Sequence, residues 1–90
     1  MVDQQVAVIR KLKEIVSSRL GLDLDQDQIG TDDRLASQVG VDSIGFIELK
    51  FQCEEEFSIE ITEDEFDPKY FTSCESLSGL IVNKLEAAGS

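Results

Sequence analysis

The sequence predicts an all-α fold, a small four-helix bundle of three main helices and a short third helix, with a long loop between helices 1 and 2. Two observations carry this. Apolar residues recur at helical spacing in stretches near both ends of the chain and again from Asp42-Ser43 onward. Only Ile59 to Ile61 alternates as a strand would, and it has no evident second strand to pair with.

The first helix is expected from about Asp3 to Leu20. Val8, Ile9, Leu12, Ile15 and Val16 line one side, while Arg10, Lys11, Lys13 and Glu14 lie towards the other. Gly21 is a natural stop. Leu22 to Val41 reads as a long polar connection pinned to the core by Ile29, Leu35 and Val39. A connection this long usually has a function or a short helix of its own, and Asp32-Asp33-Arg34-Leu35 could begin such a turn. Gly40 loosens the chain before the next element.

The central helix runs from about Ser43 to Phe57, with Asp42 as its N-cap. At about 100° per residue, Phe46, Leu49, Cys53 and Phe57 form a core face. Ile44, Ile47 and Phe51 fall on the opposite side or its flank, together with Glu48, Glu54 and Glu55. An apolar stripe rimmed by acids is either covered by another helix or is a docking face. Glu54, Glu55 and Glu56 occupy the last turn, where the helix dipole disfavours each anion by about 0.3–1 kcal/mol. Three acids in a row are commonly a solvated surface, but their place beside the stripe favours recognition.

Ser58 to Ile61 reads as a packed loop. Thr62, with Glu65 at capping-box spacing, is expected to start the short third helix, and Pro68 to limit it. Phe66, Tyr70 and Phe71 form an aromatic cluster suited to core packing or to lining a cleft. The last helix spans about Ser73 or Cys74 to Ala87, with Leu77, Leu80, Ile81 and Leu85 on its apolar face and Gly89-Ser90 as a frayed end.

The 90 residues make one domain, 1–90, with room for a small core. The net charge of −11 argues against nucleic acid and anionic membranes and for basic partners. Its placement is uneven: Asp23 to Asp67 holds 15 acids and two bases, Arg34 and Lys50. No apolar run approaches the roughly 20 residues of a membrane span, and no signal peptide is visible. The cytoplasm is therefore the expectation, with Cys53 and Cys74 reduced, and the chain is expected to be a monomer. Cys53 reads as core packing, and the role of Cys74 stays open.

With no histidine, neither a Ser-His-Asp nor a Cys-His arrangement is available, and two cysteines alone do not make a zinc site. No glycine-rich phosphate loop occurs. Asp23-x-Asp25-x-Asp27 opens like a calcium loop, but Gln28 stands where glycine is needed and Arg34 where a bidentate glutamate is needed. Catalysis and a metal are both disfavoured. Ser43 has no evident base, yet it sits where a helix N-terminus favours an anion, which suits a phosphate ester.

Asp42-Ser43-Ile44, then Glu48-Leu49 and Glu54-Glu55-Glu56-Phe57-Ser58-Ile59-Glu60-Ile61, resembles the acyl carrier protein family over nearly the whole chain. The resemblance implies a carrier, not an enzyme. It implies that a phosphopantetheinyl transferase moves 4′-phosphopantetheine from coenzyme A onto Ser43, and that the arm holds an acyl or aminoacyl group as a thioester. Asp42 would help position the site. Ile44, Ile47, Glu48, Phe51, Glu54 and Glu55 would meet apolar and basic patches on acyl-loading, acyltransferase or ketosynthase-type enzymes.

The match departs from fatty acid synthesis carriers, which commonly have an acid where this chain has Gly45 and often Met where it has Phe51. Peptidyl carriers show Gly-Gly-His-Ser or Gly-Gly-Asp-Ser, which Val39-Gly40-Val41-Asp42-Ser43 fits in part. Phe66-Asp67-Pro68-Lys69-Tyr70-Phe71 with Ser76-Leu77 is similar to free-standing carriers of polyketide and mixed polyketide–peptide pathways, the expectation adopted here. A peptidyl or fatty acid carrier, and an acidic interaction module without a prosthetic group, stand as alternatives.

Overall fold

A computed structural model of the protein describes residues 4–20 and 24–89. The elements in order are α1 (Gln4–Arg19), a 3-10 turn (Gln26–Gln28), a wide turn (Leu35–Val39), α2 (Ser43–Phe57), α3 (Pro68–Phe71) and α4 (Cys74–Gly89). No strand occurs among the described residues.

The core follows the apolar periodicity. Val8, Leu12, Ile15 and Val16 of α1 are buried and face Leu77, Leu80 and Ile81 of α4, because α1 and α4 form the closest-packed pair. α2 contributes Leu49 and Cys53, both fully buried, with Phe46 and Phe57 half-buried beside them. Ser73 and Ser78 are the buried polar residues; the Ser78 hydroxyl, fully buried, donates to the Glu75 carbonyl and accepts from Gln5 Nε2, so its burial leaves no unpaired group.

From Ile29 to Val41 the long loop is tied down. Ile29 and Leu35 are buried and Val39 packs on the core's edge, as the sequence predicts. Leu35 N–H donates to the Thr72 carbonyl at 2.8 Å, and Glu75 N–H to that of Thr31 at 2.9 Å. The loop is thereby fastened to both ends of the α3–α4 junction. Gly40 ends the wide turn at φ +94°, a left-handed conformation that glycine adopts without strain. Beyond it, Val41 is buried and donates to the Leu35 carbonyl at 2.8 Å.

Three expectations change. The Thr62–Glu65 pair forms in both directions, with Thr62 N–H donating to Glu65 Oε1 at 3.0 Å and Glu65 N–H to Thr62 Oγ1 at 3.3 Å. It closes a turn, however, and starts no helix. α3 begins five residues after Glu63, at Pro68, with Asp67 as its cap. Proline has no N–H to lose at a first helical position, so Pro68 starts the short helix instead of limiting it. At the other end, α4 continues through Gly89, beyond the expected limit at Ala87. The stop expected at Gly21, the start at Asp3, Asp23 of the calcium-like triplet and Ser90 lie outside the described residues.

Among the described residues, no helix is long and apolar enough to cross a membrane, and no group of three or more acids or cysteines converges as a metal site would.

Candidate functional site

α2 starts at Ser43, as expected, and its start is held by two neighbours. The Asp42 carboxylate accepts the Gly45 N–H at 2.7 Å, satisfying one of the free donors of the first turn. Val41, buried just before it, fixes where the loop enters. Ser43 itself is exposed, and its hydroxyl has no hydrogen-bond partner among the described residues.

Next to Ser43 lies a cavity of about 520 Å³. Ser43, Phe46 and Ile47 of α2 form one side, and Phe66, Pro68 and Phe71 another. Arg34, Ser37, Asp67 and Thr72 complete the rim. The aromatic rings interlock: Phe66 meets Phe71 edge-on at 5.1 Å, and Phe46 meets Phe71 at 6.5 Å. The aromatic residues therefore do both things the sequence allowed. Phe71 is core, and the same ring walls a cleft. Tyr70 stands apart, half-buried, with Lys69 Nζ 5.0 Å from its ring.

The far side of α2 is uncovered. Ile44 is 78% exposed, Phe51 52% and Ile47 46%. Among the described residues no helix lies over them. The acids divide by what they touch. Glu55 is exposed. Glu48 accepts from Gln52 Nε2 at 2.9 Å, and Gln52 in turn accepts from Arg19. Glu54 lies 3.6 Å from Lys50 Nζ and accepts the Ile61 N–H at 2.9 Å. Glu56 pairs with Arg19 at 3.3 Å. Two of the three consecutive acids thus have structural partners, which recognition alone did not anticipate. α2 is capped at its other end by Ser58 in the left-handed region, φ 54°, with its N–H donating to the Glu54 carbonyl.

Both cysteines are buried and free. Burial pushes the Cys53 thiol up to about 12 and the Cys74 thiol up to about 11, so neither is a nucleophile near neutral pH. Cys74, ambiguous from sequence, is core.

Sequence reasoning did not place Arg34, Ser37, Asp67 and Thr72 around Ser43. The one signal for Arg34 was its rarity as a base in the acidic middle of the chain.

A family model described as phosphopantetheine attachment site matches residues 10–81. An acyl carrier protein of Buchnera aphidicola subsp. Baizongia pistaciae (strain Bp) is 35% identical over 72 residues, covering 80% of this chain and 87% of that protein. An acyl carrier protein of Guillardia theta is 37% identical over 57 residues, covering 63% of this chain and 68% of its own length. The family match runs from within α1 to within α4 and takes in all of α2 and α3, and on that ground the chain belongs to the acyl carrier protein family, whose members are carriers without catalytic activity and hold 4′-phosphopantetheine covalently.

Proposed function

We propose that Ser43 is the attachment residue and that this carrier serves polyketide or related secondary-metabolite assembly, delivering acyl or aminoacyl units to partner enzymes. One observation carries the first part: an exposed serine hydroxyl without a partner, first in its helix, at the edge of an apolar cavity. The residues present fit the group. The first turn of α2 favours a phosphate, and the cavity offers shelter to an apolar chain. When bound, the arm supplies the thiol that activates the cargo as a thioester.

The chain's own contribution is attachment, address and shelter. Asp42 fixes the first turn on which Ser43 stands. Ile44, Ile47 and Phe51 provide an apolar contact patch, with Glu48, Glu54 and Glu55 along it to steer basic partners at a rate that salt reduces. The partners are a phosphopantetheinyl transferase and acyl-loading, acyltransferase or ketosynthase-type enzymes. What supports the polyketide reading over fatty acid synthesis is the makeup of that patch, where Gly45 replaces an acid and the exposed Phe51 ring replaces a methionine.

The test is intact mass after incubation with coenzyme A and a broad-specificity transferase, alongside Ser43→Ala. A gain of one phosphopantetheine group by the parent alone is the expected result. No gain by a folded parent, beside a working control carrier, would sink the assignment of Ser43. Loading of the modified protein by candidate polyketide and fatty acid enzymes then decides the pathway.

A further inference from the structure

Between Asp23 and Asp67 the chain has two bases, and they are placed very differently. Lys50 is engaged: its Nζ lies 3.6 Å from Glu54 and 5.0 Å from the Phe51 ring. Arg34 makes no ion pair among the described residues, although Asp32 and Asp33 precede it directly. Asp33 turns away and accepts the Gly30 N–H at 2.8 Å. Arg34 is instead one of the residues that line the cavity that Ser43 lines. The other charged group on that cavity, Asp67, accepts the Lys69 N–H at 3.0 Å through one carboxylate oxygen and forms no ion pair with Arg34. In a chain of net charge −11, an arginine outside any ion pair on the rim of this cavity keeps its donors available to an anion that arrives there.

We propose that Arg34 binds the phosphodiester that joins the prosthetic arm to Ser43, holding the root of the arm over the cavity. The proposal rests on Ser43 as the attachment residue. Attachment adds a negative charge close to the Asp42 carboxylate, on the most acidic part of the chain. A nearby guanidinium offsets that repulsion, and its planar fork of donors matches the phosphodiester's two free oxygens. The arm then leaves Ser43 with its first atoms directed along Phe46 and Phe71 instead of into solvent. Because Arg34 is exposed, the contact is weakened by salt.

The loop does not depend on this side chain. Arg34 N–H donates to Gln38 Oε1 at 2.8 Å, and the Arg34 carbonyl accepts from Gln38 and Val39, so R34Q keeps every one of these backbone bonds. The experiment compares apo and holo forms of the parent, R34Q and R34K by nuclear magnetic resonance, with attachment monitored by intact mass. On modification, the Arg34 Nε–Hε resonance of the parent is expected to shift. The phosphodiester ³¹P resonance of holo R34Q should differ from the parent's, R34K should lie between them, and 1 M salt should move the parent towards R34Q.

An unmoved Arg34 resonance and a ³¹P signal indifferent to R34Q, in proteins whose mass shows the group attached, would overturn this contact and leave Ser43 standing. Absence of the mass gain would overturn both.

Discussion

Glu54 and Ile61 are joined across the turn that ends α2: the Glu54 carboxylate accepts the Ile61 N–H at 2.9 Å, and Ile61 is buried. One residue further on, Glu55 is exposed. Two adjacent acids of the same helix thus have different duties. Glu54→Ala is expected to cost about 1–2 kcal/mol, since it strands a partly buried N–H that had a charged acceptor. Glu55→Ala should stay within about 0.5 kcal/mol of the parent. Urea unfolding of both variants checks this, and equal losses would refute the division.

Gly45 occupies a helical position where alanine would ordinarily gain about 1 kcal/mol. Here a Cβ would lie 3.0 Å from Val41 Cγ1 and 3.2 Å from Asp42 Oδ1. Val41 has little room to move, being buried and bonded to the Leu35 carbonyl. Gly45→Ala should therefore fail to stabilise the parent, yet stabilise a Val41→Ala background, with a coupling of about 1 kcal/mol in a double-mutant cycle. A full gain in the parent would show that the contact yields.

The acid limb of stability should report the link between Glu65 and Lys84, whose charged atoms lie 2.6 Å apart. The Lys84 hydrogen bond first, then the Thr62 N–H, hold the Glu65 carboxyl below its ordinary value of 4.5. The folded state therefore binds fewer protons than the unfolded state at this site. Its contribution is complete above about pH 4.5 and is lost as pH falls through the lower folded value. The stability gap between the parent and Glu65→Gln, of order 1 kcal/mol at pH 7 after solvent screening, should close below that range. Chemical denaturation at stepped pH measures it.

Phe51 and Leu49 separate docking from folding within one helix. Leu49 is fully buried, and Leu49→Ala should cost about 2–5 kcal/mol. Phe51 is half exposed, so Phe51→Ala should cost under about 1 kcal/mol. If the uncovered stripe meets partner enzymes, Phe51→Ala should nonetheless slow loading by about tenfold, as loss of an interface aromatic does. Unchanged loading kinetics would remove Phe51 from the docking face.

Sequence reasoning served best where a single helix decided the matter. The bounds of α2, the Asp42 cap, the buried pair Leu49 and Cys53, and the bare stripe of Ile44, Ile47 and Phe51 follow from 3.6-residue periodicity and end chemistry. It failed where local signals competed. Thr62-Glu65 read as the helix start and Pro68 as its limit, whereas the helix starts at Pro68 behind the Asp67 cap. The cavity was legible only in its aromatic wall, because the rest is built from the loop at Arg34, the first turn of α2 and α3, which periodicity within one segment cannot bring together. Glu54's tie to Ile61 was hidden for the same reason: it bridges seven residues across a left-handed cap.

The burial of Cys53 and Cys74 bears on oxidative damage. Peroxides and electrophiles attack thiolates that they can reach, and neither protein sulfur is reachable while the bundle is closed. In the modified carrier the vulnerable sulfur is the one on the arm, and acylation blocks it. Inactivation under oxidative stress should therefore track the fraction of empty carriers, making a charged pool more durable than an idle one.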